Sequence, residues 1–127
     1  MAVLPEAEPL TVDAAELIAP RFRALGDPTR LRILDLLRRG GETPVTEIAA
    51  EVESSQQNVS KHLAVLLAVG IVTRRKVGTS SLYRIGDPAP HEICARITEG
   101  LTAQLSDQIR ATVGSAGTST AGVVVAD

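Results

Sequence analysis

Ser55-Gln56-Gln57-Asn58-Val59-Ser60-Lys61-His62-Leu63-Ala64-Val65-Leu66-Leu67 decides how this chain of 127 residues folds. The apolar residues Val59, Leu63, Leu66 and Leu67 recur at helical spacing, and Ser55 stands where a side-chain oxygen can cap the first turn. Gly70 marks the stop. At about 100° per residue, Gln57, Lys61 and Ala64 lie opposite Val59 and Leu63, with Ser60 on the flank and Gln56 in the first turn. That face is short, polar and free of carboxylates. Gln can pair with adenine N6 and N7, Ser with bases or phosphates, and Lys supplies charge, so Gln56, Gln57, Ser60 and Lys61 form a workable set for reading a major groove. An ordinary solvated helix face is the plain alternative.

The flanking residues decide between the two. Upstream, Thr46 is placed to cap a short helix through Val52 that buries Ile48, Ala49 and Val52, and Glu53-Ser54-Ser55 breaks it, which gives a helix-turn-helix. Downstream, Ile71 to Val77 is β-branched and basic, Gly78-Thr79-Ser80 is a turn, and Ser81 to Ile85 is a second strand pattern. Two strands directly after such a helix make a winged helix. A glycine turn between basic strands can approach a phosphate backbone closely, so Arg74, Arg75, Lys76 and Arg84 are assigned to the wing and the DNA backbone. Pro44-Val45 is a candidate third strand.

Two stretches carry a family resemblance. They are Phe22-Arg23-Ala24-Leu25-Gly26-Asp27-Pro28-Thr29-Arg30-Leu31-Arg32-Ile33-Leu34-Asp35-Leu36-Leu37, and Ser55 to Leu63 leading into Gly70-Ile71-Val72. Taken in order, they resemble the ArsR/SmtB-type family of bacterial metal-sensor repressors, from Phe22 to Asp87. The resemblance implies a winged helix-turn-helix transcriptional repressor that pairs its terminal helices across a two-fold axis. His62 matches a position of the family's motif; its helical phase puts it at the edge of the core face, as a packing or phosphate-facing residue. The fold class expected is mainly α with a small β-hairpin, in the order α-α-α-α-β-β-α.

Composition agrees with one domain over 11–113. Hydrophobic residues make up 44% and aromatic residues 2%, so the core must be Leu, Ile, Val and Ala, which suits helix packing. The formal charge of −2 argues at first against nucleic acid. Its distribution answers the objection, because 54–86 holds no Asp or Glu while Lys61, Arg74, Arg75, Lys76 and Arg84 all fall there. One exclusively basic segment in a near-neutral chain is a directional electrostatic footprint.

At the start, residues 1–10 carry two prolines and two glutamates with no basic-then-apolar pattern, so no signal peptide is expected. No apolar run approaches the roughly 20 residues that span a bilayer, and a cytoplasmic, nucleoid-associated protein is expected. Thr11 or Asp13 starts a helix through Leu25, interrupted at Pro20 by a kink or a break. Asp27-Pro28 restarts the chain as a helix to about Arg39, with Arg30, Arg32, Arg38 and Arg39 on a solvated face and phosphate contact as the alternative. After Asp87-Pro88-Ala89-Pro90, a last helix from His91 to Thr112 carries Ile93, Ile97, Leu101, Leu105 and Ile109 every four residues. At roughly 33 Å it is too long for a small core to cover. Leu17, Ile93, Ile97, Leu101 and Leu105 are therefore the candidate homodimer interface, and two copies can set recognition helices in successive major grooves of a pseudo-palindromic duplex about 34 Å apart. Residues 114–127 read as a flexible tail.

Members of the resembled family sense metals through a Cys pair in the first helix of the helix-turn-helix, or through His and carboxylate sets on paired C-terminal helices. Neither set is intact here. Asp87, His91 and Cys94, with Glu92, are the remaining low-odds ligands, and no cofactor is expected. Cys94 reads first as a small apolar residue; the sharper idea is a redox switch, with a thiolate favoured near a helix start. A protein-binding winged helix that does not read DNA is the alternative function. A hydrolase built on Cys94 and His91 lacks an orienting group and an oxyanion cradle, so an enzyme is not expected.

Overall fold

The structure is a computed structural model and describes residues 8–116, with side chains described through residue 111. The element order is α1 (Val12–Leu25), α2 (Pro28–Gly40), β1 (Thr43–Pro44), α3 (Val45–Glu51), α4 (Gln56–Ala68), β2 (Val72–Val77), β3 (Ser80–Ile85) and α5 (Ala89–Ala116). This is the expected winged helix-turn-helix with one short strand added. The chain divides into two compact units, one ending at Pro88 and one starting at Ala89.

In the first unit the local signals act largely as expected. Thr11 caps α1, its hydroxyl accepting from Ala14 N at 3.1 Å. Asp27 caps α2 through Arg30 N at 3.0 Å, with Pro28 at the first helical position. Ser55 caps α4 through Asn58 N at 3.1 Å. Each oxygen satisfies a donor that the helix start would leave orphaned.

Four expectations need correction. The interruption at Pro20 is absent: α1 runs through it as one helix, and Arg21 Nη1 donates to Leu17 O at 2.7 Å beside the missing proline N–H. Thr46 is no cap. The helix starts two residues earlier, after Pro44, because Pro44 ends β1 in extended geometry (φ −72°, ψ 152°) while paired with Leu82. The third strand is Thr43–Pro44 rather than Pro44-Val45. Helix α5 starts at Ala89 and runs to Ala116, so 114–116 belong to a helix and not to a tail; the rest of the expected tail and residues 1–7 lie outside the described residues.

The three strands form one antiparallel sheet in the order β1-β3-β2, with Thr43 opposite Tyr83 and Arg74 opposite Tyr83 on the other side. Ile33 and Leu37 from α2, Ile48 from α3, Val59, Leu63 and Leu66 from α4, and Ile71 and Val72 before and in β2 are essentially fully buried together. Burying an aliphatic side chain of this size contributes about 1.5–3 kcal/mol. This cluster is what fixes α4 against α2, α3 and the sheet.

The wing is also tied to the exit of α4 through the backbone. Ile71 O accepts from Gly86 N at 2.8 Å and from Asp87 N at 3.3 Å. A Cβ on Gly86 would meet Gly70 O and Thr73 Cγ2, each at 3.0 Å, so the close approach of the two strand ends favours a glycine there and any side chain would push these neighbours back by a few tenths of an ångström.

Candidate nucleic-acid interface

Helix α4 divides by face. Val59, Leu63 and Leu66 are buried, whereas Gln56, Gln57, Ser60, Lys61 and Ala64 are exposed. The structure therefore brings Gln56, Gln57, Ser60 and Lys61 together on one exposed surface of one helix, within its first two turns. Val65, 40% exposed, continues that face beside Lys61 and was missed because its apolar character reads as core. The Ser55 cap is itself steadied upstream, since Asn58 Nδ2 donates to Ser54 Oγ at 2.9 Å. A helix held this way presents amide, hydroxyl and ammonium groups that match base edges and phosphates.

His62 lies elsewhere. Its side chain is only 17% exposed, and Nδ1 faces Arg30 Nη1 at 3.2 Å and Asp27 Oδ2 at 3.7 Å. A guanidinium only donates, so Nδ1 accepts and the neutral ring carries its proton on Nε2. Arg30 also donates through Nε to Ala24 O at 2.7 Å and through Nη2 to Arg23 O at 3.2 Å, closing the carbonyl end of α1. The expected solvated role for Arg30 is thus replaced by a structural one. Together Arg30, Asp27 and His62 fasten the end of α1 and the start of α2 to α4. Arg38 and Arg39 are both paired with Asp35, each at 2.9 Å, on the α2 surface.

The wing cations separate into two groups. Directly opposed residues of an antiparallel pair share a face, and neighbours along a strand alternate. Arg74 is opposite Tyr83 and Lys76 opposite Ser81, on the face that carries buried Val72; Arg75 is opposite Leu82 and Arg84 opposite Thr73, on the other face. Among the described residues, Lys61, Arg74 and Lys76 make no ion pair. Arg75 does: Nε donates to Glu42 Oε2 at 2.8 Å and Nη2 to Glu42 Oε1 at 2.7 Å. The Glu42 carboxyl is held below its ordinary value by the Arg75 hydrogen bonds first, and also by the charges of Arg75 and Arg84. The acid-free segment of the sequence is not acid-free in space.

The second unit carries α5. Ile97 and Leu101 are exposed on it, and Ile93 and Leu105 half-exposed; in the first unit Leu17 is exposed on α1. Thr98 Oγ1 donates to Cys94 O at 2.8 Å. Partial burial pushes the Cys94 thiol up, opposite to the favoured thiolate that its place near a helix start suggests. Among the described residues no group of three or more His, Cys, Asp or Glu gathers to hold a metal ion, Asp87, His91 and Cys94 included. A single cysteine also supplies no thiolate pair. No helix among the described residues is long and apolar enough to cross a membrane.

Comparison with known proteins gives the same architecture. A family profile described as a helix-turn-helix domain matches residues 25–75. A helix-turn-helix-type transcriptional regulator of Methanocaldococcus jannaschii is 43% identical over 84 residues, which cover 66% of this chain and 94% of the relative. The crystal structure of the antimony-specific transcriptional repressor AntR superposes with a TM-score of 0.69 at 30% identity, covering 82% of this chain and 93% of that one. A homodimeric winged helix-turn-helix DNA-binding domain from Mycobacterium bovis, a possible ArsR-family regulator, gives a TM-score of 0.63 at 28% identity, covering 80% and 91%. The recognition helix, the wing behind it and these relatives agree: the chain belongs to the ArsR/SmtB-type family of winged helix-turn-helix transcriptional regulators, and it is not an enzyme.

Proposed function

We propose that the protein is a homodimeric repressor that binds a pseudo-palindromic operator in double-stranded DNA and is released from it by an effector. The observation that carries this is the division of α4, which buries Val59, Leu63 and Leu66 while Gln56, Gln57, Ser60 and Lys61 stand exposed at its start. Those four make the base and nearby phosphate contacts. Arg74 and Lys76, with Arg84, supply backbone contacts from the wing.

Leu17 on α1, and Ile93, Ile97, Leu101 and Leu105 on α5, form the interface between copies. Support comes from the exposure of Ile97 and Leu101 on α5, at 55% and 46%, and separately of Leu17 on α1, at 68%, since exposed apolar side chains favour a partner over water. The homodimeric state of the Mycobacterium bovis domain points the same way. A protein with this role works in the cytoplasm, on the bacterial nucleoid.

The test is salt-titrated binding to the duplex upstream of its own gene, with the stoichiometry measured by sedimentation. If about eight phosphates are neutralised per dimer, log K falls with log salt at a slope near −7. Binding by two copies with that dependence is the expected result; a flat response, or monomers on DNA, contradicts it.

A further inference from the structure

We propose that Glu42 is a built-in counter-ion for the wing, holding Arg75 off the DNA backbone and so limiting how tightly the protein grips duplexes of any sequence. The inference rests on the DNA-binding function proposed above. Glu42 lies 33 residues before Arg75 in the chain, outside the basic segment, and the fold carries it across the sheet. Strand β1 pairs with β3 through Thr43 and Tyr83, while β3 pairs with β2 through Leu82 and Arg75. Glu42, next to β1, thereby meets Arg75 over the central strand.

The contact is a two-pronged one, Nε to Oε2 at 2.8 Å and Nη2 to Oε1 at 2.7 Å. A carboxylate and a phosphate compete for that same planar fork, because both offer two oxygens at the spacing of the guanidinium donors. While Glu42 holds the fork, the pair carries no net charge. Arg84 lies close enough for its charge to act on the same carboxylate, so the anion weakens the field of both cations on this face. Arg74 and Lys76 are on the opposite face, clear of it. The wing thus has one face whose cations, Arg74 and Lys76, make no ion pair among the described residues, and one face on which Glu42 offsets one of the two cations, Arg75, and leaves Arg84.

A protein that reads bases gains from such an arrangement, since charge on the wing raises affinity for every sequence alike and erodes the ratio between operator and bulk DNA. Binding of wild type, Glu42→Gln, Arg75→Ala and the double variant to a random-sequence duplex over a salt titration tests the proposal. Glu42→Gln is expected to bind about three- to tenfold tighter at low salt, with a slope steeper by about one per protomer. Arg75→Ala alone stays within about twofold of wild type, and the double variant matches Arg75→Ala. Glu42→Ala, which lacks the acceptor as well as the charge, gives the same gain and replaces Glu42→Gln should that variant be unfolded by circular dichroism. A Glu42 variant no tighter than wild type overturns the counter-ion role while leaving DNA binding intact. So does an Arg75→Ala variant whose slope flattens by about one per protomer, because Arg75 would then already be on a phosphate. A flat salt response from all the proteins, wild type included, removes the DNA-binding function and this role with it.

Discussion

Arg30 shows how one residue can serve the recognition helix without touching DNA. Its guanidinium closes the end of α1 through Arg23 O and Ala24 O and reaches His62 Nδ1 on α4, while its backbone N–H binds the Asp27 carboxylate. Asp27 is therefore both the cap of α2 and the acid of this junction. Its carboxyl is held below the ordinary 3.8, first by the Arg30 backbone N–H, with the charge of the Arg30 guanidinium adding to it against the cost of burial. A group depressed in the folded state stabilises fully above its unfolded value and loses that contribution as pH falls through the folded one. Asp27→Ala is expected to cost about 1 kcal/mol at pH 7, the usual effect of deleting a helix cap. Urea unfolding at pH 7 and pH 3 checks this: the gap from wild type should shrink at the lower pH, and a gap that stays or widens contradicts the assignment. The Asp27-Pro28 cap was legible in the sequence, because both residue types have fixed positions at helix starts. The Arg30 to His62 link was not, since neither type signals a partner 32 residues away.

Both helices of the helix-turn-helix end in the same way. After α3, Ser54 N donates to Ala49 O at 3.0 Å and Glu53 N to Ala50 O at 3.3 Å; after α4, Ile71 N donates to Leu66 O at 3.0 Å and Gly70 N to Leu67 O at 3.1 Å. This double bond pattern needs a left-handed residue at the turn, which is Glu53 (φ 53°) in one case and Gly70 (φ 78°) in the other. Gly70 announced its helix end in the sequence, as glycine tolerates that conformation without strain. Glu53 announced only a break, because glutamate carries no preference for it. Glu53→Gly is thus expected to stabilise the fold by about 0.5–1 kcal/mol, relieving a Cβ clash with the neighbouring carbonyl. Thermal unfolding measures it, and a lower midpoint than wild type would show that the glutamate side chain stabilises the turn. The start of α3 escaped sequence reading for a different reason: the pairing of Pro44 with Leu82 sets it, and a strand partner far along the chain leaves no local mark.

At the scale of the molecule, the sequence located the basic surface and the fold divided it. Reading 54–86 as acid-free found the right segment, yet Glu42 enters from outside it, and strand alternation puts Arg75 and Arg84 on a different face from Arg74 and Lys76. Linear charge counts miss both effects because they depend on which strands pair. The exposed surface of α4 was legible in advance, since helical phase alone separates Gln57 and Lys61 from Val59 and Leu63. That surface is the centre of the account. The most direct test compares Gln57→Ala with wild type on the operator, on single-base variants of each half-site and on random duplex at one salt concentration. Loss of about 1–3 kcal/mol of discrimination at one base position per half-site, with random-duplex affinity unchanged, is the predicted result. Equal weakening on every duplex would contradict base reading by this face of α4.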